Sequence, residues 1–280
     1  MAELGLGTVQ FGLPYGISNT AGRVSNADAA AILAIAARNG IRTLDTAANY
    51  GTAEEVLASL DTASFRIVTK TIGAGRGIDA VVARARQSAA TLKADTLLVH
   101  AARDLDDPAL WPALQALKAE GVFRRIGISA YVADDPARLA DRFRPDVMQL
   151  PFSLLDQRLL KDGSLARMKE TGVEIHARSL FLQGLLLMEP DTVPADLAAA
   201  VPHLIALRAR LARAGSTPLA AAVGFVLSQA RIDVGLVGVT STDELRQIVA
   251  ACGRALPAVD WQACALTDER ILTPSLWKPA

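Results

Sequence analysis

Eight short apolar segments, each followed by a segment with helical periodicity, constrain the fold of this chain more than any other feature. Several of these segments contain few polar residues, as is typical of parallel strands buried on both faces. Strict alternation of strand and helix predicts a parallel sheet. The strands are predicted at residues 4–9, 41–45, 66–70, 96–100, 125–129, 147–150, 173–179 and 234–239.

The segments between these strands carry helix signals. Ser25 can cap the first long helix, with Asp28 three residues later, and Asn39-Gly40 can end it. Eight strand–helix repeats in 280 residues fit a (β/α)8 TIM barrel better than an open doubly wound sheet. We therefore predict an α/β protein with one barrel domain spanning residues 1–280, a loop at 11–21, and a tail from 257 that packs outside. Further helices are predicted at 52–60, 78–92, 108–120, 136–141, 164–171, 202–213, 217–229 and 242–252.

Composition excludes several classes of function. Lys+Arg and Asp+Glu both number 29, so no basic excess indicates a nucleic acid or an anionic membrane as partner. The N-terminus lacks a signal-peptide pattern, and no stretch approaches the roughly 20 apolar residues of a membrane helix. Cys252 and Cys264 lack metal-knuckle or redox spacing. We expect a soluble cytoplasmic protein with reduced cysteines and no metal; the sequence does not indicate its oligomeric state.

Polar side chains end three successive predicted strands. Asp45, Lys70 and His100 hold these positions, and Tyr50 follows the first of them on a loop. Catalytic residues of such barrels lie at the carboxyl ends of the strands. Lys70 paired with Asp45 would keep its charge and stabilise the Tyr50 phenolate, so Tyr50 could act as a general acid. With His100 orienting a carbonyl, this is half of a carbonyl reduction, and the other half needs a hydride donor.

The sequence resembles the aldo-keto reductases in four segments: Gly5-Leu6-Gly7-Thr8, Leu44-Asp45-Thr46-Ala47-Ala48-Asn49-Tyr50-Gly51, Val68-Thr69-Lys70 and Leu97-Leu98-Val99-His100. The resemblance implies that Asp45, Tyr50, Lys70 and His100 form that family's catalytic tetrad. It also implies a barrel that binds NADPH or NADH in an extended conformation and reduces a small-molecule aldehyde, ketone or sugar carbonyl, or oxidises the alcohol. No strand is followed by the Gly-x-Gly-x-x-Gly fingerprint of a Rossmann domain, which is consistent with this fold.

The resemblance also implies a set of cofactor contacts. Ser129 and Gln149 match the residues that bind the carboxamide, and residues 179–186 resemble the segment along the pyrophosphate. The implied cofactor-binding residues are Gly7, Thr8, Asp45, Ser129, Gln149, Arg178, Ser179, Leu180, Gln183, Gly238, Thr240, Ser241 and Glu244.

Three positions depart from the family pattern. Ala130 replaces an asparagine, and Arg178 replaces an aromatic residue that stacks on the nicotinamide, although a guanidinium can also stack on a planar ring. Glu244 occupies the place of an arginine that binds the adenosine 2′-phosphate. Its carboxylate would repel that phosphate but could accept a hydrogen bond from a free 2′-hydroxyl. We expect a weakened preference for NADP, with dual or NAD use as the alternatives.

Substrate contacts and rival functions stay open at this point. Phe11, Tyr15 and Trp111 are candidates to line the substrate pocket, with ordinary loop packing as the alternative, and Arg23 and Arg103 are candidates to bind an acidic group. One rival to the reductase is a Schiff-base lyase or aldolase with Lys70 as nucleophile. Another is a regulatory barrel that binds the cofactor with little turnover.

Overall fold

The eight predicted strands form a closed parallel barrel in which each strand pairs with the next along the chain and the last pairs with the first. The computed structural model describes residues 1–277. It confirms the (β/α)8 architecture. The strands are β1 (Glu3–Gly7), β2 (Thr43–Asp45), β3 (Arg66–Lys70), β4 (Thr96–Val99), β5 (Arg125–Ser129), β6 (Val147–Pro151), β7 (Glu174–Arg178) and β8 (Val234–Gly238).

Helices surround the barrel, with caps near the positions that the sequence indicates. Ser25 Oγ accepts the Asp28 N–H at 3.1 Å, and Thr217 Oγ1 accepts the Ala220 N–H at 3.2 Å. Each such cap satisfies an N–H that the first helical turn leaves free. The α-helices are α1 (Val9–Gly12), α2 (Asn26–Arg38), α3 (Ala53–Ala58), α4 (Ile78–Leu92), α5 (Leu110–Ala119), α6 (Pro136–Phe143), α7 (Arg158–Lys161), α8 (Ser164–Glu170), α9 (Val201–Arg213), α10 (Pro218–Leu227), α11 (Thr242–Cys252) and α12 (Glu269–Leu272).

The segment after β1 differs from its prediction. Residues 4–9 were expected as strand and 11–21 as loop, but the strand ends at Gly7 and residues 9–12 form the short helix α1. Both the N–H and the hydroxyl of Thr8 donate to the Asp45 carbonyl, at 2.9 and 3.0 Å. These two bonds anchor Thr8 to the end of β2, and the chain leaves the sheet there.

An ion-pair network occupies the amino-terminal end of the barrel, where β3, β5 and β7 begin. Glu174 accepts hydrogen bonds from Arg66 at 2.7 Å, Arg125 at 2.6 Å and the fully buried His176 at 2.8 Å. Burial would raise the pKa of Glu174, but His176 and the two guanidinium groups outweigh it and hold the pKa at about 2. The charges at this end are therefore paired within the protein.

The tail packs against the barrel, as far as residue 277. The Leu266 N–H donates to the Leu155 carbonyl at 2.8 Å, and the Trp261 ring lies 5.4 Å from Phe225. Cys264 is fully buried, and both cysteines are free thiols. The last part of the predicted tail, 278–280, lies outside the described residues. No helix within 1–277 has the length and apolar character needed to span a membrane.

Candidate active site

A cavity of about 980 Å³ opens at the carboxyl ends of the strands. This is the end at which barrel enzymes place their active sites. Seventeen of the residues singled out from the sequence line it: Gly7, Thr8, Tyr15, Asp45, Tyr50, Lys70, His100, Arg103, Ser129, Gln149, Arg178, Ser179, Leu180, Gln183, Gly238, Thr240 and Glu244.

Four candidate residues lie elsewhere: Phe11, Arg23, Trp111 and Ser241. Phe11 is on α1 and fully buried in the hydrophobic core, because the segment after β1 turns into a helix. Trp111 is on α5 and packs against Phe143 of α6 with ring centroids 5.4 Å apart, so it belongs to the outer helical layer. The prediction that Phe11 and Trp111 line the cavity is therefore wrong. Ser241 does not line it either, because its Oγ caps α11 by accepting the Glu244 N–H at 3.2 Å.

A buried ion pair forms the floor of the cavity. Lys70 Nζ donates to Asp45 Oδ2 at 2.6 Å and to the Thr46 carbonyl at 2.8 Å, and Gln149 Nε2 donates to Asp45 Oδ1 at 2.6 Å. Burial lowers the pKa of Lys70, but the Asp45 carboxylate and Tyr50 outweigh burial, and the pKa is raised. Lys70 is thus a fixed ammonium group near neutral pH.

Tyr50 stands beside this ion pair on the loop between β2 and α3. The Tyr50 N–H donates to the Ala47 carbonyl, and its own carbonyl accepts the Ala53 N–H, each at 3.0 Å. Lys70 Nζ lies 4.9 Å from the centroid of the phenol ring. The His100 ring meets it edge to face, with centroids 5.8 Å apart and an interplanar angle of 82°. The phenol is therefore held between a cation and an imidazole.

His100 is neutral near pH 7. Burial lowers the pKa of its imidazole, Lys70 and Arg178 also lower it, and the Asp45 carboxylate restores only part of the loss, so the pKa is about 4. The backbone N–H of His100 donates to Thr71 Oγ1 at 3.2 Å, which anchors the end of β4 to β3. Nδ1 is buried and has no hydrogen-bond partner within residues 1–277. A neutral imidazole offers one N–H donor to a carbonyl oxygen without adding a positive charge.

Two acceptor atoms on the wall of the cavity lack partners. Gln149 Oε1 and Gln10 Oε1 are buried without a hydrogen-bond partner in residues 1–277, and both residues line the cavity. A buried unpaired acceptor is costly unless a ligand or water supplies a donor. The carboxamide of a nicotinamide carries an NH₂ group with two donors. The residues present therefore fit such a group.

The segment after β7 lines the cavity with strained backbone. Ser179, Leu182 and Gln183 have φ values of 63°, 47° and 53°, a region that non-glycine residues seldom adopt. Such strain clusters at functional sites. The Ile17 N–H donates to the Gln183 carbonyl at 3.1 Å, so the loop after β1 touches the loop after β7. The two loops are therefore in contact with each other beside the end of β8.

Glu244 folds back over the end of β8. Its Oε2 accepts the Thr240 N–H at 2.6 Å, and its Oε1 accepts the Thr240 hydroxyl at 3.0 Å. A backbone N–H and a hydroxyl at a helix start are the groups with which proteins bind phosphate. Here a carboxylate of the chain itself occupies them.

A family model for the aldo/keto reductases matches residues 3–269, nearly the whole chain. The chain belongs to the aldo/keto reductase family. Members of this family are oxidoreductases that act on small-molecule carbonyl substrates with nicotinamide cofactors. None of the curated protein sequences matches this chain significantly.

Solved structures of this family share the fold. The holo form of an aldo-keto reductase from Bacillus halodurans is 21% identical, with a TM-score of 0.75, and the match covers 99% of this chain and 94% of that one. A protein from Pseudomonas aeruginosa assigned to the aldo-keto reductases is 23% identical, with a TM-score of 0.65 and coverage of 89% and 88%. At these identities the likeness establishes the barrel and leaves the substrate open.

Gln10 and Tyr131 are among the cavity residues that were missed in the sequence. Gln10 follows β1, and it packs so closely that a Cβ on Gly238 would lie 2.6 Å from Gln10 Oε1. Tyr131 follows β5, and its ring lies 4.4 Å from the Arg178 guanidinium carbon. Their position in the sequence could have indicated both, because each comes within three residues of the end of a strand in this aldo/keto reductase barrel.

Proposed function

We propose that this chain is an NAD(P)H-dependent reductase of an aldehyde, ketone or sugar carbonyl, with Tyr50 as proton donor. The observation that carries the proposal is the meeting of three groups in one cavity. The Tyr50 phenol lies 4.9 Å from Lys70 Nζ, measured to the ring centroid, and touches the neutral His100 imidazole. A proton donor, a fixed cation and a neutral hydrogen-bond donor suit the conversion of a carbonyl oxygen to a hydroxyl.

The roles of the side chains follow from their charges. A substrate carbonyl oxygen placed between Tyr50 and His100 would take a proton from the phenol as negative charge develops on it. The Lys70 ammonium stabilises the phenolate that remains, and Asp45 keeps Lys70 charged and in place. His100 orients the carbonyl through an N–H. The nicotinamide cofactor, when bound, supplies the hydride.

The chain's own residues for holding a nicotinamide are Gln149, Gln10 and Ser129. The two glutamine oxygens are buried acceptors without partners within residues 1–277, and Ser129, at the end of β5, pairs in register with Gln149 and lines the same cavity. The loops after β1 and β7 meet at Ile17 and Gln183 and would enclose the rest of the cofactor. These features support the expected extended binding mode.

Glu244 favours NADH over NADPH in this proposal. Its carboxylate takes up both the N–H and the hydroxyl of Thr240, and it carries a negative charge of its own. A 2′-phosphate at this place would have to displace a carboxylate and would be repelled by it. A free 2′-hydroxyl would instead find an acceptor.

The Schiff-base alternative requires Lys70 as a neutral amine. The raised pKa and the 2.6 Å contact with Asp45 keep the group protonated, which disfavours attack on a carbonyl. Borohydride trapping would label Lys70 if this alternative held. Saturable cofactor binding without turnover of any carbonyl would instead support the regulatory barrel.

The experiment is a fluorescence titration with NADH and NADPH, followed by turnover of a panel of aldehydes and ketones. The chain has three tyrosines, and Tyr15, Tyr50 and Tyr131 all line the cavity. We expect Tyr50→Phe to lower kcat by about 10²- to 10⁴-fold with nearly unchanged cofactor affinity. Tyr15→Phe and Tyr131→Phe are the matched controls. A Tyr50→Phe variant no slower than these two would refute the role of Tyr50.

A further inference from the structure

Arg178 places a guanidinium group inside the barrel mouth. Glu174 and His176 contact each other across two positions of β7, so residues 174, 176 and 178 share the inner face of the strand. His176 pairs with Gln149, and Arg178 pairs with Pro151. Arg178 therefore stands about 6–7 Å above the Gln149 layer, by the rise of two strand residues. It faces the space above the Asp45–Lys70 floor.

The position of this guanidinium is fixed by neutral groups. Its Cζ lies 4.4 Å from the centroid of the Tyr131 ring, and Nη2 donates to the Ala130 carbonyl at 3.2 Å. An aromatic ring occupies one face, and the carbonyl uses one of the five N–H donors. The remaining donors have no hydrogen-bond partner within residues 1–277, while the group cannot lose its charge.

No carboxylate within residues 1–277 forms an ion pair with Arg178. Three other partly buried arginines, Arg66, Arg125 and Arg158, each have a carboxylate partner within 2.7 Å. Asp104 and Asp134 line the same cavity, but neither is paired with this guanidinium. A partly buried cation left unpaired in a ligand cavity is a site for an anion from outside.

The charge of Arg178 acts on the reaction centre. Lys70 and Asp45 carry opposite charges, so their electric fields largely cancel in the cavity. Burial and Lys70 lower the pKa of His100, and Arg178 lowers it too; burial raises the pKa of Tyr15 to about 12, although Arg178 opposes that rise. Its field therefore covers the space that a substrate would occupy. A molecule with its carbonyl oxygen at Tyr50 would bring its other groups within that field.

We propose that Arg178, which the resemblance implies as a cofactor contact, instead binds an anionic group, a carboxylate or a phosphate, on the carbonyl substrate itself. This inference rests on the proposed reductase function and narrows its substrate to acidic carbonyl compounds. The carbonyl oxygen faces Tyr50 and His100, and the anion pairs with the free edge of the guanidinium. A planar guanidinium matches both oxygens of a carboxylate and binds phosphate in the same way.

The two arginines singled out from the sequence are weaker candidates. Arg23 does not line the cavity, and its Nη1 lies 3.3 Å from Thr52 Oγ1 and 3.5 Å from the Phe11 carbonyl. Arg103 lines the cavity mouth but is exposed. Only Arg178 of the three is stacked on an aromatic ring within the cavity.

The test compares 4-carboxybenzaldehyde with methyl 4-formylbenzoate, which has the same ring and no charge. We expect the wild type to favour the carboxylate in kcat/KM by about 10- to 100-fold, as a hydrogen-bonded charged group would. Arg178→Gln should bring the ratio of the two kcat/KM values close to one. Arg142→Gln is the matched control, because Arg142 also stacks on an aromatic ring, 4.8 Å from the Phe143 centroid, but lies outside the cavity. This variant should keep the wild-type ratio.

A second pair, glyceraldehyde 3-phosphate and glyceraldehyde, distinguishes phosphate from carboxylate as the preferred anion. The inference would be overturned if the wild type showed kcat/KM ratios near one for both pairs of substrates. It would also be overturned if Arg178→Gln kept the wild-type ratios. If no aldehyde is turned over, the reductase proposal fails by itself. Calorimetric titration with benzoate and benzamide then tests the anion site. Benzoate binding that is tighter than benzamide binding, and that loses this advantage in Arg178→Gln, supports the site. Equal binding of benzoate and benzamide to the wild type refutes it.

Discussion

Lys70 Nζ lies 2.6 Å from Asp45 Oδ2 across the carboxyl ends of β3 and β2, and both side chains are buried. Both charges are almost fully withdrawn from water, so each depends on the other. Because Gln149 and the Thr46 carbonyl complete the hydrogen bonds, this pair is both the floor of the cavity and a structural element of the barrel.

Removal of one partner leaves the other charge buried and uncompensated. We expect Lys70→Met and Asp45→Asn each to lower the free energy of unfolding by about 3–5 kcal/mol, and the double variant to lose less than their sum. Urea denaturation measures this. Arg86 and Glu120 form an exposed pair, and Arg86→Met should cost less than about 1 kcal/mol. Additive losses at Lys70 and Asp45 would show that the pair is not coupled.

The barrel, and the meeting of Asp45, Lys70 and His100 at its mouth, could be predicted because both depend on local sequence. Asp45 and Lys70 end apolar strands, and His100 directly follows one, so the rule that strand ends meet at one mouth brings them together. The cavity lining was harder to predict. Phe11 was misplaced because residues 9–12 form the helix α1, which buries its ring in the core, where a loop was expected.

Arg178 illustrates what the sequence could not provide. Its position as the last residue of β7 was readable, but its contact with Tyr131, its bond to the Ala130 carbonyl and its lack of a carboxylate partner depend on the loop after β5. Likewise, Glu244 could be aligned with a family position, yet its bonds to Thr240 depend on the geometry of the loop after β8.

The imidazole of His100 should titrate well below an ordinary histidine. Its folded pKa of about 4 lies below the usual 6.5, so the folded protein binds this proton later than the unfolded chain as pH falls. Stability should therefore decrease as pH falls from about 6.5 to about 4, and the ring in the folded protein should stay neutral through that window. NMR of the ring resonances of the three histidines, assigned with His100→Gln, measures the midpoint. A midpoint near 6.5 would contradict the neutral role.

Glu54 should position Tyr50 against Lys70. This buried carboxylate lies on α3, just after Tyr50, and accepts hydrogen bonds from Thr69 at 2.5 Å and Ser88 at 3.0 Å, with Arg84 as ion-pair partner. Glu54→Gln weakens the link between α3 and β3. We expect kcat to fall by about 10-fold with little change in KM, since small shifts of a catalytic group are costly.

The neighbouring Glu55 provides the control for Glu54, because it is exposed. Glu55→Gln should leave kcat unchanged and alter stability by less than about 0.5 kcal/mol. Steady-state kinetics and thermal unfolding of both variants separate positioning from folding. A Glu54→Gln variant that loses stability but keeps kcat would show that the network only supports the fold.

Cofactor preference should respond to the charge of Glu244. Glu244→Gln removes the negative charge beside Thr240, so we expect the ratio of NADH to NADPH affinity to shift about 10-fold toward NADPH, and further in Glu244→Lys. Fluorescence titration measures both dissociation constants. Asp243→Asn is the matched control, because Asp243 pairs with Arg246 and is exposed. Equal shifts in both variants would mean that the general field of the helix start, and not Glu244, sets the preference.

Gly12 should be the least replaceable glycine near the site. A Cβ at this position would lie 1.8 Å from the Tyr50 carbonyl and 2.5 Å from the Ala53 nitrogen, both backbone atoms that cannot rotate away. Gly12→Ala must therefore displace the loop that carries Tyr50, and we expect a loss of stability of about 1–3 kcal/mol and a fall in kcat. Gly253→Ala, where an added Cβ meets nothing within 4 Å, should retain both the wild-type stability and the wild-type kcat. Thermal unfolding and kinetics test the pair; wild-type kcat in a folded Gly12→Ala protein would mean that the Tyr50 loop tolerates displacement.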